Sequence, residues 1–416
     1  MSDLHVLPNG IRVFADPMSG LESVAIGVWF RAGAIDETAE ENGVAHLLEH
    51  MAFKGTTKRN ARQIAEEIET VGGYLNASTG YSRTGYYARV LKDDVEIAFD
   101  ILADILTNPT FDVEELAKER EVVIQEIGEA NDIPDDAVME MLQTLSFGDH
   151  ALGRPILGTV QTVKSHTGDR LRAFMANQYA STGMIVAASG AVGEDEVLRL
   201  CERHFGARAA GKSRTRAPAP RYVGGSAHDG RDIEQTHIAL AFPGVAVKSP
   251  DYFAARVFAE ALGGGMSSRI FQSVREERGL AYSVFSFADC YDETGAIGAY
   301  VGTDEKNAAE AVALIRREIA AMADAPTERE VARARAMLKS TMLMGLESPA
   351  TRAETAAGQI FSHGRLLSSR EIGERLDAVT IDDVRRVAAA ALDGAAPSLA
   401  IVGPADRDAL TKALNA

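Results

Sequence analysis

Short β-rich runs and longer amphipathic runs follow one another through the first third of the chain. Ile11 to Phe14 and Val24 to Phe30 are rich in β-branched and aromatic residues and flank the Pro17 to Gly20 turn, which predicts two strands. Helical patterns follow at about 42–54, 60–71, 94–107 and 112–131. In the second of these Ala61, Ile64, Ala65, Ile68 and Val71 share a face, and Gly72 and Gly73 stop it. Tyr74 to Ser78 and Tyr86 to Leu91 read as further strands, so strands and helices are mixed rather than strictly alternating.

Around residues 209–222 the sequence AAGKSRTRAPAPRY is small, basic and proline-containing, without apolar periodicity. That composition marks a linker and divides the chain into an N-terminal domain, 1–210, a linker, 211–222, and a C-terminal domain, 223–416. The second half resembles a copy of the first. Thr236 to Phe242 matches Val24 to Phe30, Asp251 to Leu262 matches a helix, and Leu399 to Val402, reached through a helix from Thr380, matches Met184 to Val186, reached through a helix from Thr167. Two similar α+β halves are expected.

A chain of 416 residues, with 46% hydrophobic and 25% charged residues, is what two ordinary folded domains require, and excludes disordered or membrane-embedded classes. Its net charge of −17 has the wrong sign for neutralising phosphates, so nucleic acid is not an expected partner. The acidic excess could attract basic peptides, although solubility alone accounts for it. Two cysteines, Cys201 and Cys290, are too few and too far apart for a disulfide framework or thiolate zinc site, and both read as buried small hydrophobes. The N-terminal MSDLHVLPNGIRVFADP is neither a signal nor a transit peptide, and no run is long enough to span a bilayer, which makes the cytoplasm the expected location.

The chemistry concentrates in GVAHLLEHMAFKGT. His46 and His50 stand i and i+4 on a helix, one above the other, so both imidazoles can reach one metal ion, and Glu49 lies on an adjoining line of that face. This is the H-x-x-E-H order, the inverse of H-E-x-x-H, with the glutamate as general base toward water at the metal. By chance such a pattern arises on the order of 0.02 times in a chain of this composition. A catalytic zinc site needs a third protein ligand. The helix DVEELAKEREVVIQEIGEAN offers Glu119 and Glu126, seven apart on one face beside Leu116, Val122 and Val123. A solvated acidic face is the alternative there.

With these residues the sequence resembles the inverted-motif zinc metallopeptidases, the pitrilysin and insulin-degrading enzyme family, and within it most closely the catalytic chains of the processing peptidases. The resemblance spans essentially the whole chain. It implies two structurally similar α+β domains from an internal duplication, each a mostly antiparallel sheet covered by helices. It also implies one zinc ion per chain held by His46, His50 and Glu126, with Glu49 as base and Glu119 orienting the site.

Further matches carry further implications. Leu152 to Gly158 follows the ligand helix as in the family. Gly72 to Thr79 matches the edge strand to which substrate adds as another strand, with Asn76, Ala77 and Ser78 in contact with it. Gly263 to Arg269 lacks the spacing of a phosphate loop and reads as a flexible loop opening a helix. Arg275 and Tyr282 match a pair that holds substrate backbone and donates to the oxyanion. Asp136 and Glu140, i and i+4 after Pro134, match an acidic clamp for arginine before the cleaved bond, although acids at a helix start are also simply favourable.

Because large family members fuse four such domains, two chains of this length would close around a peptide or unfolded substrate. A homodimer suffices, a heterodimer with an inactive paralogue being the alternative. The expected function is a zinc endopeptidase of short or unfolded peptides with an arginine preference; the competing readings are a non-catalytic core subunit and a peptide holder of the same fold.

Overall fold

The computed structural model describes residues 3–212, 215–216 and 218–415, so Ser213, Arg214 and Ala217 of the linker 211–222 lie outside the described residues. The chain packs as two compact units. One comprises Met1–Gly128, Pro155–Ala217 and Met344–Ser368, and the other Glu129–Arg154, Pro218–Leu343 and Ser369–Ala416.

The first unit holds a six-stranded sheet made of β1 (Leu4–Val6), β2 (Arg12–Pro17), β3 (Ser23–Phe30), β4 (Tyr74–Thr79), β5 (Thr84–Leu91) and β6 (Met184–Gly190), in the order β1-β2-β6-β3-β5-β4. Only β2 and β6 run parallel. The second unit holds β7 (Gly225–Asp229), β8 (Thr236–Pro243), β9 (Ala281–Cys290), β10 (Gly295–Thr303) and β11 (Ser398–Val402), in the order β7-β11-β8-β10-β9. There the parallel pair is β7 and β11. Reading β2 to β6 against β7 to β11, both the strand order and every pairing direction repeat, so the duplication expected from the sequence is a duplication of topology.

Helices α1 (Val44–Ala52), α2 (Ala61–Thr70), α3 (Val95–Thr107) and α4 (Val113–Asp132) fall within two residues of their predicted spans. On α2, Ile64 and Ile68 are buried, whereas Ala65 is exposed. Val24, Ile26, Val28 and Phe30 of β3 face the main core with Leu47, Leu48 and Met51 of α1 and Phe99 and Leu102 of α3. Trp29 points the other way. Its ring lies across β3 and β5 where a Cβ on Gly27 would come within 2.1 Å of it and one on Gly85 within 2.5 Å, so only glycines leave room. The helix Pro349–His363 covers Trp29 with Ala353, Ala356, Ala357 and Ile360.

The corresponding cover on the second sheet is α5 (Pro134–Phe147), which packs on β8 and β11 through Val138, Leu142 and Phe147. Each sheet is therefore covered by a helix from the opposite half of the chain. This differs from the division by chain order at 1–210 and 223–416, which assigns α5 to the first domain; the apolar faces of the two exchanged helices decide where they pack. Cys201 is buried, but Cys290, at the end of the edge strand β9, is half-buried rather than a core residue. Gly263 and Gly264 of the glycine-rich stretch close a wide, π-type turn, Glu260–Gly264, and a second such turn, Phe271–Glu276, follows the loop. Among the described residues no helix is long and apolar enough to cross a membrane.

Candidate metal centre

The centre is built on α1, whose nine residues bury Val44, Ala45, Leu47, Leu48, Met51 and Ala52 and leave His46, Glu49 and His50 on the remaining face. A helix this short depends on its ends. Its N-terminus carries no cap of its own, because Gly43 has no side chain. The buried carboxylate of Glu37 takes that role, accepting from the backbone N–H groups of Gly43 at 2.9 Å and Ala45 at 2.8 Å. Gly43 sits at φ +85, and a Cβ there would lie 2.7 Å from the Leu157 carbonyl oxygen, against Gly158, whose own φ is +78. Residues 155–158 thus pack directly on the start of α1. Asn42 donates to Glu37 and to the Pro155 carbonyl, and His166 Nε2–H donates to the Asn42 carbonyl at 3.0 Å. Arg120 of α4 donates in turn to the His166 carbonyl, so the two helices bearing the candidate ligands are tied together behind the site.

On α4 the two glutamates diverge. Glu119 is buried at 5% exposure, beside Leu116 and Val123, while Glu126 is more open; Val122 faces solvent instead of this face. His46 Nε2 stands 3.8 Å, and His50 Nε2 3.5 Å, from Glu126 Oε2. The donor atoms of the three residues all lie within 4.8 Å of one another. Donors of a tetrahedral zinc ion are separated by about 3.3 Å, so this set fits zinc with little adjustment, and three protein ligands leave one position open. The Nδ1 of His46 is buried with no partner among the described residues, which leaves its Nε2 as the atom turned toward the other donors. Burial, followed by the neighbouring His50, pulls the His46 imidazole down to about 4. It is thereby neutral at physiological pH, the form that binds a metal.

Glu119 reaches a different atom. Its Oε2 lies 3.1 Å from His50 Nδ1, and its Oε1 lies 2.7 Å from the Lys54 ammonium. Hydrogen bonding to Nδ1 selects the tautomer that presents Nε2 to a metal. Glu49 carries a carboxyl raised by burial, opposed by hydrogen bonding from Thr79 and by His50, and raised further by Glu126. The Thr79 hydroxyl donates to Glu49 Oε2 at 2.5 Å. Sequence reasoning singles out none of Lys54, Thr79 and Glu37, Thr79 entering only as the end of the Gly72 to Thr79 strand. Lys54, one turn after His50, and Thr79, ending the β4 pattern, were visible in their motifs, but nothing local marks Glu37 as a cap for a helix six residues away.

Asn76, Ala77 and Ser78 lie on β4, the last strand of its sheet, which pairs only with β5 among the described residues. Asn76 and Ser78 are exposed and Ala77 buried; Asn76 Nδ2 donates to the Tyr74 hydroxyl, and its Oδ1 accepts from the Ala77 N–H. In the second unit the Arg275 guanidinium stacks over the Tyr282 ring at 4.6 Å and the Phe271 ring at 4.7 Å, and Tyr282 is 78% exposed. Asp136 is exposed near the start of α5, and Glu140, one turn on, is half-buried with its carboxyl raised by desolvation.

Residues 14–160 match the family model for insulinase, peptidase family M16, and residues 165–338 that of the peptidase M16 inactive domain. An uncharacterized zinc protease of Streptomyces coelicolor is 38% identical over 407 residues, covering 96% of this chain and 88% of its own. Another from Rickettsia felis is 37% identical, covering 97% and 98%. The crystal structure of a protease from Helicobacter pylori superposes with a TM-score of 0.89 at 21% identity, over 97% of this chain and 99% of that one, a likeness of fold. The inverted motif, the converging donors and the relatives agree: the chain belongs to the insulinase family of peptidases, M16, and is a zinc metallopeptidase.

Proposed function

We propose that this chain is an endopeptidase of short or unfolded peptides in which His46, His50 and Glu126 hold one zinc ion and Glu49 is the general base. The observation that carries the reading is the convergence of three donor atoms within 4.8 Å beside a carboxylate on the same helix face. Zinc in that position supplies Lewis acidity to water and to a peptide carbonyl. Glu49 accepts a proton from the attacking water as its oxygen bonds to the carbonyl carbon, and returns the proton to the amide nitrogen as the C–N bond breaks. Glu119 holds His50 in orientation through Nδ1.

The free edge of β4 supports the second part of the reading. A peptide pairs along Asn76, Ala77 and Ser78 as an added strand, with affinity from its backbone and little demand on sequence. Tyr282 donates to the developing oxyanion and Arg275, stacked on it, holds the peptide backbone. Two chains, most simply two copies of this one, enclose the substrate, each supplying its Arg275 and Tyr282 to the other's metal centre. Asp136 and Glu140 hold an arginine side chain just before the cleaved bond, and the raised Glu140 carboxyl is what a carboxylate awaiting a cation would show.

The test is digestion of a peptide library by the purified chain, zinc-loaded and chelated, with products read by mass. Cleavage confined to the zinc-loaded sample, restored on adding zinc, is expected; equal cleavage after complete removal of metal excludes the reading.

A further inference from the structure

Thr79 stands where the two parts of the proposed machinery meet. It is the last residue of β4, paired with Thr84 across the hairpin, and its hydroxyl donates to Glu49 Oε2 at 2.5 Å. Its backbone amide acts on the same carboxylate. Alternation along β4 places Leu75, Ala77 and Thr79 on the α1 side, where Leu75 and Ala77 join the core, and turns Tyr74, Asn76 and Ser78 the other way. Thr79 is thus the β4 residue whose side chain faces the metal-binding helix at the end of the exposed edge.

We propose that Thr79 is a positioning residue that locks the Glu49 carboxylate and couples it to the strand on which the peptide is laid. The inference rests on reading Glu49 as the general base. A glutamate side chain turns about three bonds, and a base that wanders by 1 Å loses up to a hundredfold in rate. Donation to Oε2 holds the carboxylate plane and leaves Oε1 to take the proton. The tether is stiff, because threonine is restricted at χ1 and its strand is paired with β5 along its whole length. The same strand sets the peptide's register. One rigid element therefore fixes both the peptide bond and the group that activates water against it, and substrates of unrelated sequence meet the base at one distance.

Thr79→Val tests this, since it removes the hydroxyl while keeping volume, branching and strand preference. Three quantities are read: kcat and KM on a quenched peptide, zinc bound per chain, and affinity of the same peptide for Glu49→Gln protein with and without Thr79→Val. We expect kcat to fall about 10- to 100-fold, with KM and zinc content unchanged. Thr79→Ser should restore most of the loss, and peptide affinity in the Glu49→Gln background should be unaffected. Adding Thr79→Val to Glu49→Gln should cost no further turnover, because the tether has then lost its object. Unchanged kcat in Thr79→Val, or a loss of kcat that tracks loss of zinc or peptide affinity, overturns the proposal. If Glu49→Gln alone retains full turnover, the base assignment itself has failed, a result distinct from failure of the tether.

Discussion

Glu119 and His50 meet at 3.1 Å through the histidine's Nδ1, while the other oxygen of the same carboxylate holds Lys54 at 2.7 Å. A carboxylate this buried is costly unless paired, and the ammonium of Lys54, two residues beyond the end of α1, supplies the pairing. Glu119→Gln should lower zinc affinity by about 10- to 100-fold, measured by competition with a chromophoric chelator. Lys54→Met should weaken zinc less but lower folding stability by about 1–3 kcal/mol in the metal-free chain, because it leaves a buried charge without its partner. The two effects should be less than additive, since both act through one carboxylate. Full zinc affinity in Glu119→Gln would remove it from the metal centre.

The proposed ligands and base are separable by what is lost. His46→Ala and Glu126→Gln should lose zinc and turnover together. Glu49→Gln should retain one zinc per chain while turnover falls about 10²- to 10⁴-fold. Metal analysis beside a quenched-peptide assay distinguishes the two classes, and zinc loss from Glu49→Gln would make Glu49 part of the ligand set instead.

A donor aimed at charge that develops only in the transition state raises kcat without tightening substrate binding. Tyr282→Phe should accordingly lower kcat about a hundredfold with KM little changed. If the tyrosine serves a second chain's metal centre, mixing Tyr282→Phe with Glu49→Gln chains should recover activity, because a mixed dimer contains one site with both groups intact. No recovery, with exchange of chains proven by mass, assigns the tyrosine to its own chain.

For the arginine clamp the contrast is between charge and length. Peptides with arginine before the cleaved bond should be preferred over norleucine by about tenfold or more, and Asp136→Asn/Glu140→Gln should abolish the preference while general cleavage persists. Equal rates on arginine, norleucine and glutamate peptides by the unmodified enzyme would count decisively against it.

Acid stability has a marker in the second unit. Burial works to raise the Glu330 carboxyl, but hydrogen bonds from Arg269 and Thr327 outweigh it and hold it down to about 2. A carboxyl depressed on folding stabilises the chain above its unfolded value near 4.5, and that contribution is lost as pH falls from there toward 2. Glu330→Gln should therefore have a lower urea midpoint than the unmodified protein at pH 7, with the gap narrowing below about pH 4.5. A gap independent of pH would show that packing, not ionisation, is what the substitution disturbs.

Periodic features of this protein were legible in the sequence because they depend on neighbours in the chain. His46, Glu49 and His50 share a face by helical spacing alone, the strands around Val24 and Tyr86 declare themselves by side-chain type, and the matches of Thr236 and Leu399 to Val24 and Met184 foretold the repeated topology. Spacing also put Glu119 and Glu126 on one face, but it could not say that one would turn toward the histidines' Nε2 atoms and the other toward Nδ1 and Lys54, since that depends on how α4 is laid against α1. The same holds for Glu37 capping α1, for Thr79 meeting Glu49, and for α5 and the helix Pro349–His363 each covering the sheet of the other half. Such contacts, whether across six residues as at Glu37 or across thirty as at Thr79, follow no helical or strand spacing and leave no period behind. They are chosen by which apolar faces and which buried polar atoms find partners once the whole chain is packed.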